Sequence, residues 1–192
     1  MNNDLIHKII KTDNFDQTKF SSQNLKSGIY EDIDAISKSM KSCREEDENE
    51  IWLLENYNFI RELAFSIQKR KNIFRKGIYD IFLNSLNHFD FSFKLDEIRD
   101  LIDEMNNAYF LTEMELSSLR DIVISSLIRK IRVSSETKRE NLPHYISLAH
   151  LISKTDFEQF KRIFSPVEKA LKKDPAGIYP LMTKKTQWFY HK

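Results

Sequence analysis

Three glycines and four prolines are spread over 192 residues. A sheet protein of this length reverses at many tight turns, and such turns draw on glycine at positive backbone angles. Three glycines cannot supply them. Long helices joined by short connections need few chain breakers, so the sequence predicts an all-α fold, a multi-helix bundle of about seven to eight helices. The apolar fraction of 41% and charged fraction of 31% belong to a globular chain, and the length suits one domain with a sizeable core. Residues 1–28 are polar enough to read as a loosely ordered segment. Residues 29–173 read as the helical domain, and 174–192 as a turn and a C-terminal helix.

Thirty basic and 29 acidic residues leave a net charge of +1, so no overall field draws the chain to nucleic acid or to an anionic bilayer. One cysteine, Cys43, allows no internal disulfide and points to a reducing, cytoplasmic setting. No run approaches the roughly 20 apolar residues of a membrane span. Any membrane association would run through a partner.

Apolar residues at helical spacing begin with Tyr30, Ile33, Ile36 and Met40. The acidic run from Glu45 to Glu50 suits the positive end of a second helix, about 48–71, which carries Trp52, Tyr57, Ile60, Leu63 and Ile67. Lys69, Arg70 and Lys71 read as its solvated end, with Gly77 permitting a reversal. A short helix is predicted near 78–86 and a further helix over about 94–107. Thr112 and Glu115 form a capping-box pair opening a long helix with Leu116, Leu119, Ile122, Val123, Leu127 and Ile131 inward, the expected central element. Thr155 with Glu158 reads as another cap, and Ser165, Pro166 and Glu168 as a helix-to-helix junction. Asp174, Pro175, Ala176 and Gly177 make a strong turn.

Chemistry is sparse in this pattern. Glycines at 28, 77 and 177 cannot build a phosphate-cradling loop, and none of the five histidines has another three or four residues away. His144 and His150 read as ordinary helix-surface residues. Asp32 and Asp34 spell Asp-x-Asp, but residues two apart on a helix face different ways. No catalytic residue, metal site or cofactor is expected.

Two segments carry a resemblance. Residues 52–62, WLLENYNFIRE, resemble a WLLDNY-type helix of the cyclic beta-1,2-glucan synthase family. The tail DPAGIYPLMTKKTQWFYHK resembles that family's D-P-A-G-x-Y-x-x-M-D-F-x-T-R-D-x-Y-R motif, matching at Asp174, Pro175, Ala176, Gly177, Tyr179, Met182, Thr186 and Tyr190. Thr183 and Lys184 replace the family's Asp-Phe, and Gln187 and Trp188 its Arg-Asp. These are large bacterial enzymes using a UDP-glucose donor. The resemblance implies a non-catalytic, accessory or scaffolding N-terminal region, as a fragment or standing alone, whose glycosyltransferase and membrane spans would lie beyond Lys192. Its candidate contact residues are Trp52, Asn56, Tyr57, Asp174, Pro175, Gly177, Tyr179, Met182, Thr186, Trp188 and Tyr190. The partner would be a downstream catalytic module or a second copy. A different expectation is a free-standing interaction module using the aromatic tail 188–190 as a helix-in-groove ligand.

Overall fold

The computed structural model describes residues 15–43, 47–70, 72–88, 95–137, 141–174, 176–183 and 186. Among them are eight α-helices, in keeping with the all-α bundle. They are α1 (Ser22–Met40), α2 (Glu48–Gln68), α3 (Lys76–Ser85), α4 (Leu95–Tyr109), α5 (Glu113–Glu136), α6 (Leu142–Lys154), α7 (Glu158–Phe164) and α8 (Pro166–Leu171). A short antiparallel ribbon, β1 (Lys19–Ser21) with β2 (Ile73–Arg75), pairs Phe20 with Phe74. A 3-10 turn at Tyr179–Leu181 follows α8.

Helix α5 is the axis, packed against α1, α2, α3, α6, α7 and β2. A helix surrounded on all sides needs a core-facing surface all round, which explains why its apolar stripe is broad. Leu119, Ile122, Ile124, Leu127 and Ile131 are all fully buried. Its buried serines solve a second problem. Ser118, Ser125 and Ser126 donate to the carbonyls of Met114, Asp121 and Ile122 at 2.8, 2.5 and 3.0 Å, so small side chains bring neighbouring helices close without stranding a donor.

Two polar ties fix the helices around this axis. Buried Asp32 of α1 accepts from Arg129 at 2.6 Å and Arg132 at 3.2 Å. On the other flank, His150 of α6 stacks on Phe59 of α2 with centroids 3.7 Å apart, and its Nε2 meets Asn56 Oδ1 at 2.9 Å. His150 is therefore an inter-helix contact rather than a surface residue, and His144 is buried as well.

Several local expectations give way to tertiary contacts. Helix α1 starts at Ser22, inside the segment that composition reads as loosely ordered; Leu25 and Ile29 are buried, and Tyr30 faces out. Lys69 and Arg70 at the end of α2 are exposed as expected, but the chain beyond them turns back into the core, because 73–75 enter the ribbon and bury Phe74. At the α6 to α7 junction the Thr155 hydroxyl donates back to Leu151 O, and Asp156 instead accepts from Glu158 N at 3.0 Å. Gly77 is not a reversal. It sits in the first turn of α3, where an added Cβ would lie 2.7 Å from the Phe15 ring and 2.9 Å from the Asp16 backbone nitrogen.

That crowding sets a pair of expected outcomes. Gly77→Ala should destabilise by about 1–3 kcal/mol, since backbone as well as a ring must shift. Gly28→Ala, in helix α1 with nothing within 4 Å of the new methyl, should stabilise by roughly 0.5–1 kcal/mol. Urea unfolding midpoints of the two variants against wild type check both signs.

Candidate functional site

Polar side chains from four parts of the chain converge on the first turn of α5. Thr112 caps the helix, accepting from Glu115 N at 3.3 Å, while Thr112 N donates to Glu115 Oε2 at 2.9 Å. Both halves of the capping box are present. The same buried carboxylate takes Arg75 as a fork, with Nε at 2.7 Å from Oε1 and Nη2 at 2.9 Å from Oε2, and accepts Arg75 N at 3.1 Å. Burial alone would raise the Glu115 pKa. The Arg75 guanidinium and the Thr112 and Arg75 amides outweigh it and hold the carboxyl below its ordinary value. The Arg75 guanidinium also lies 5.1 Å from the Phe15 ring centroid, and that ring stacks on Tyr109 at 3.8 Å.

Next to this carboxylate, Glu113 accepts the hydroxyl of Ser165, the residue between α7 and α8. Ser165 Oγ in turn accepts from Glu168 N at 3.0 Å, so the predicted Ser-Pro-x-Glu junction forms. Glu168 then receives the Tyr179 hydroxyl at 3.0 Å. Tyr179 is buried, and burial together with the Glu168 carboxylate pushes its pKa up to about 12. Asp174 organises the turn that delivers Tyr179. Its carboxylate accepts from Ala176 N at 3.0 Å, Ile178 N at 3.0 Å and Tyr179 N at 3.2 Å, and these amides hold its pKa below the usual range. Gly177 takes φ of +64°, a left-handed angle that a side chain would strain. Met182, half-buried, closes the 3-10 turn by donating its N–H to Tyr179 O at 3.2 Å.

The candidate residues thus fall into two groups. Asp174, Gly177, Tyr179 and Met182 form one continuous turn clamped to the base of α5, and Thr186 N donates to Thr183 Oγ1 at 3.3 Å just beyond it. Trp52, Asn56 and Tyr57 belong to α2, where Asn56 Nδ2 donates to Trp52 O at 2.9 Å and Arg61 stands 6.0 Å from the Tyr57 ring. Among the described residues none of their hydrogen bonds or ring contacts reaches the C-terminal turn. Pro175, Trp188 and Tyr190 lie outside the described residues. Arg75, Ser165 with Glu113, and Glu168 were not candidates from sequence. Arg75 and Glu115 are 40 positions apart, and no local signal links them.

Several other ionisable groups are paired structurally. Asp32 is buried between two arginines, whereas Asp34 pairs with Lys38 on the surface at 2.6 Å, so the Asp-x-Asp pair diverges as helix geometry requires. Asp121 Oδ1 lies 3.3 Å from Arg70 and 3.5 Å from Arg120; burial pushes its pKa up despite them. Among the described residues no group of three or more His, Cys, Asp or Glu side chains is placed to hold a metal, and no helix is long and apolar enough to cross a membrane. No protein-family model, curated protein or solved structure matches the chain.

Glu115→Gln keeps the shape of the side chain but removes the charge that Arg75 and the cap require. At pH 7 it should cost about 2–4 kcal/mol, because Arg75 is left half-desolvated without its counter-charge. A carboxyl with a depressed folded pKa contributes stability above its ordinary value, 4.5 here, and loses it as the pH falls through the folded value. Wild-type and variant urea midpoints should therefore differ at pH 7 and converge toward pH 3.

Proposed function

We propose that this chain is a non-catalytic helical scaffold, an accessory domain of a glucan-synthase-like enzyme, whose task is to hold the segment around Asp174–Met182 rigidly for a partner. The observation that carries this reading is the Asp174 turn. Three backbone amides converge on one carboxylate, and Tyr179 links the turn through Glu168 and Ser165 to Glu113 on the central helix. A loop without a structural or recognition task has no need of such anchoring. The turn also coincides with the longest stretch of resemblance to that family, and its glycine and aspartate have clear backbone reasons to be there.

Beside the buried Tyr179, Ile178 is 55% and Leu181 86% exposed. That apolar pair flanking an anchored residue favours a second reading, in which the same surface serves a free-standing interaction module. The two readings share a surface and differ in the partner.

Asp174→Ala combined with Tyr179→Phe tests the proposal. The helical circular dichroism and main unfolding midpoint should persist, because the turn lies outside the core, while limited proteolysis at residues 172–182 should accelerate. Co-expressed with a glycosyltransferase module of the resembled family, the wild-type chain should co-purify and the double variant should not. Equal capture of both forms sinks the scaffold reading, and so does release of UDP when the chain alone is incubated with UDP-glucose. Capture of a second copy of the chain in place of the module selects the interaction reading.

A further inference from the structure

Charge is not spread evenly along this chain. From the start of α7 to the last residue, 158–192, eight basic residues stand against three acidic ones, whereas the preceding 157 residues hold 22 basic and 26 acidic. The overall +1 therefore conceals a C-terminal part at +5 and a remainder at −4. A net charge near zero excludes a global field but not a local one, because exposed charges more than about 10 Å apart are largely screened from each other at ordinary salt. Within this stretch Arg162, Lys169, Lys172 and Lys173 are exposed. Two of its three carboxylates are engaged by protein donors, Glu168 by the Tyr179 hydroxyl and Asp174 by three backbone amides.

The fold sets apolar side chains among these cations. Ile163, beside Arg162 on α7, is 47% exposed. Lys172 and Lys173 form the leg that enters the Asp174 turn, and Ile178 and Leu181 lie on the leg that leaves it. Leu181 N donates to Ile178 O at 3.0 Å, the bond of a 3-10 turn, in which side chains three apart eclipse one another. Ile178 and Leu181 therefore project together, while the buried Tyr179 between them holds the turn in place. Single exposed aliphatic residues are ordinary. A pair fixed side by side, with lysines on the same turn, makes a surface that is both basic and apolar.

We infer that α7, α8 and the Asp174 turn form a docking surface for an anionic lipid bilayer, with the lysines drawn to the headgroup charge and Ile178 and Leu181 entering the boundary beneath it. Seven of the eight cations in 158–192 are lysines. A lysine ammonium is a compact point charge suited to a diffuse anionic surface, whereas sites for nucleic acid favour the arginine fork. Exposed aliphatic side chains also lack a counterpart on a nucleic acid, whose bases stack on aromatic faces. Protein interfaces are depleted of lysine, which argues against a protein as the occupant. Lying on a bilayer needs no membrane-spanning helix, only charge attraction and buried apolar area. The inference rests on the anchored turn of the scaffold reading but needs no captured module.

Co-sedimentation of the full chain with sucrose-loaded vesicles tests it, using phosphatidylcholine alone and phosphatidylcholine with about 30 mol% phosphatidylglycerol. The chain should pellet with the anionic vesicles, stay in solution with the neutral ones, and be released as salt rises from about 0.1 M to about 0.5 M. Lys172→Glu combined with Lys173→Glu should weaken partitioning by at least about tenfold, and Leu181→Ala several-fold, with unchanged circular dichroism because all three side chains are exposed. Lys38→Glu combined with Lys41→Glu makes the same change of charge near the other end of α5, where Ser39 Oγ donates to Ser135 O at 2.7 Å, and should bind like wild type. Equal pelleting with both vesicle types overturns the inference, as does equal partitioning of wild type and the Lys172/Lys173 variant, or an equal loss in the Lys38/Lys41 variant. Tighter binding of a labelled single-stranded oligonucleotide than of anionic vesicles overturns it too. Vesicle binding without capture of the glycosyltransferase module sinks the scaffold reading alone, and capture without vesicle binding sinks this inference alone.

Discussion

The Glu115 carboxylate answers two demands with one side chain. It completes the capping box that starts α5, and it receives the Arg75 fork that ties the ribbon to that helix. A buried carboxylate is costly unless fully hydrogen-bonded, and here both oxygens are occupied by charged or backbone donors. Because α5 touches most of the other elements, the point that fixes its first turn also fixes the frame around it. The ribbon, the Phe15–Tyr109 stack and the α8 junction all gather there.

Along α5, buried polarity is handled in two ways. Serines return their hydroxyls to their own helix, which hides them from the neighbours and permits close packing. Charges are instead paired outward, Asp32 with two arginines and Asp121 with Arg70 and Arg120. Lys130 follows neither pattern. Among the described residues it is held by the amide oxygen of Asn87 at 2.6 Å.

The two ends of α5 are therefore built differently. Its N-terminal end is closed by protein groups that meet one another's needs, an arrangement suited to rigidity. Its C-terminal end carries Lys130, which reaches Asn87 after α3. The Asp174 turn extends the closed end, holding Tyr179 in and leaving Ile178 and Leu181 outside.

Much of this was legible along the chain wherever the cause is local. Scarce glycine implied helices, Thr112 with Glu115 and Ser165 with Glu168 marked two helix starts, and Asp174 with Gly177 marked the turn, because each depends on residues within a few positions. The candidate site was legible only to the extent of that turn. Asp156 capturing the cap assigned to Thr155 shows how close a local contest can be. Sequence by itself determined that the chain is helical, the starts of α5 and α8, and the stripe of α5 that makes it the axis. Tertiary structure alone decided which polar groups meet: Arg75 with Glu115, Asp32 with Arg129, Asn56 with His150, and Lys130 with Asn87. The reason is that a cap draws its partner from its own turn, whereas a buried charge takes whichever partner the packing of distant helices brings within about 3 Å.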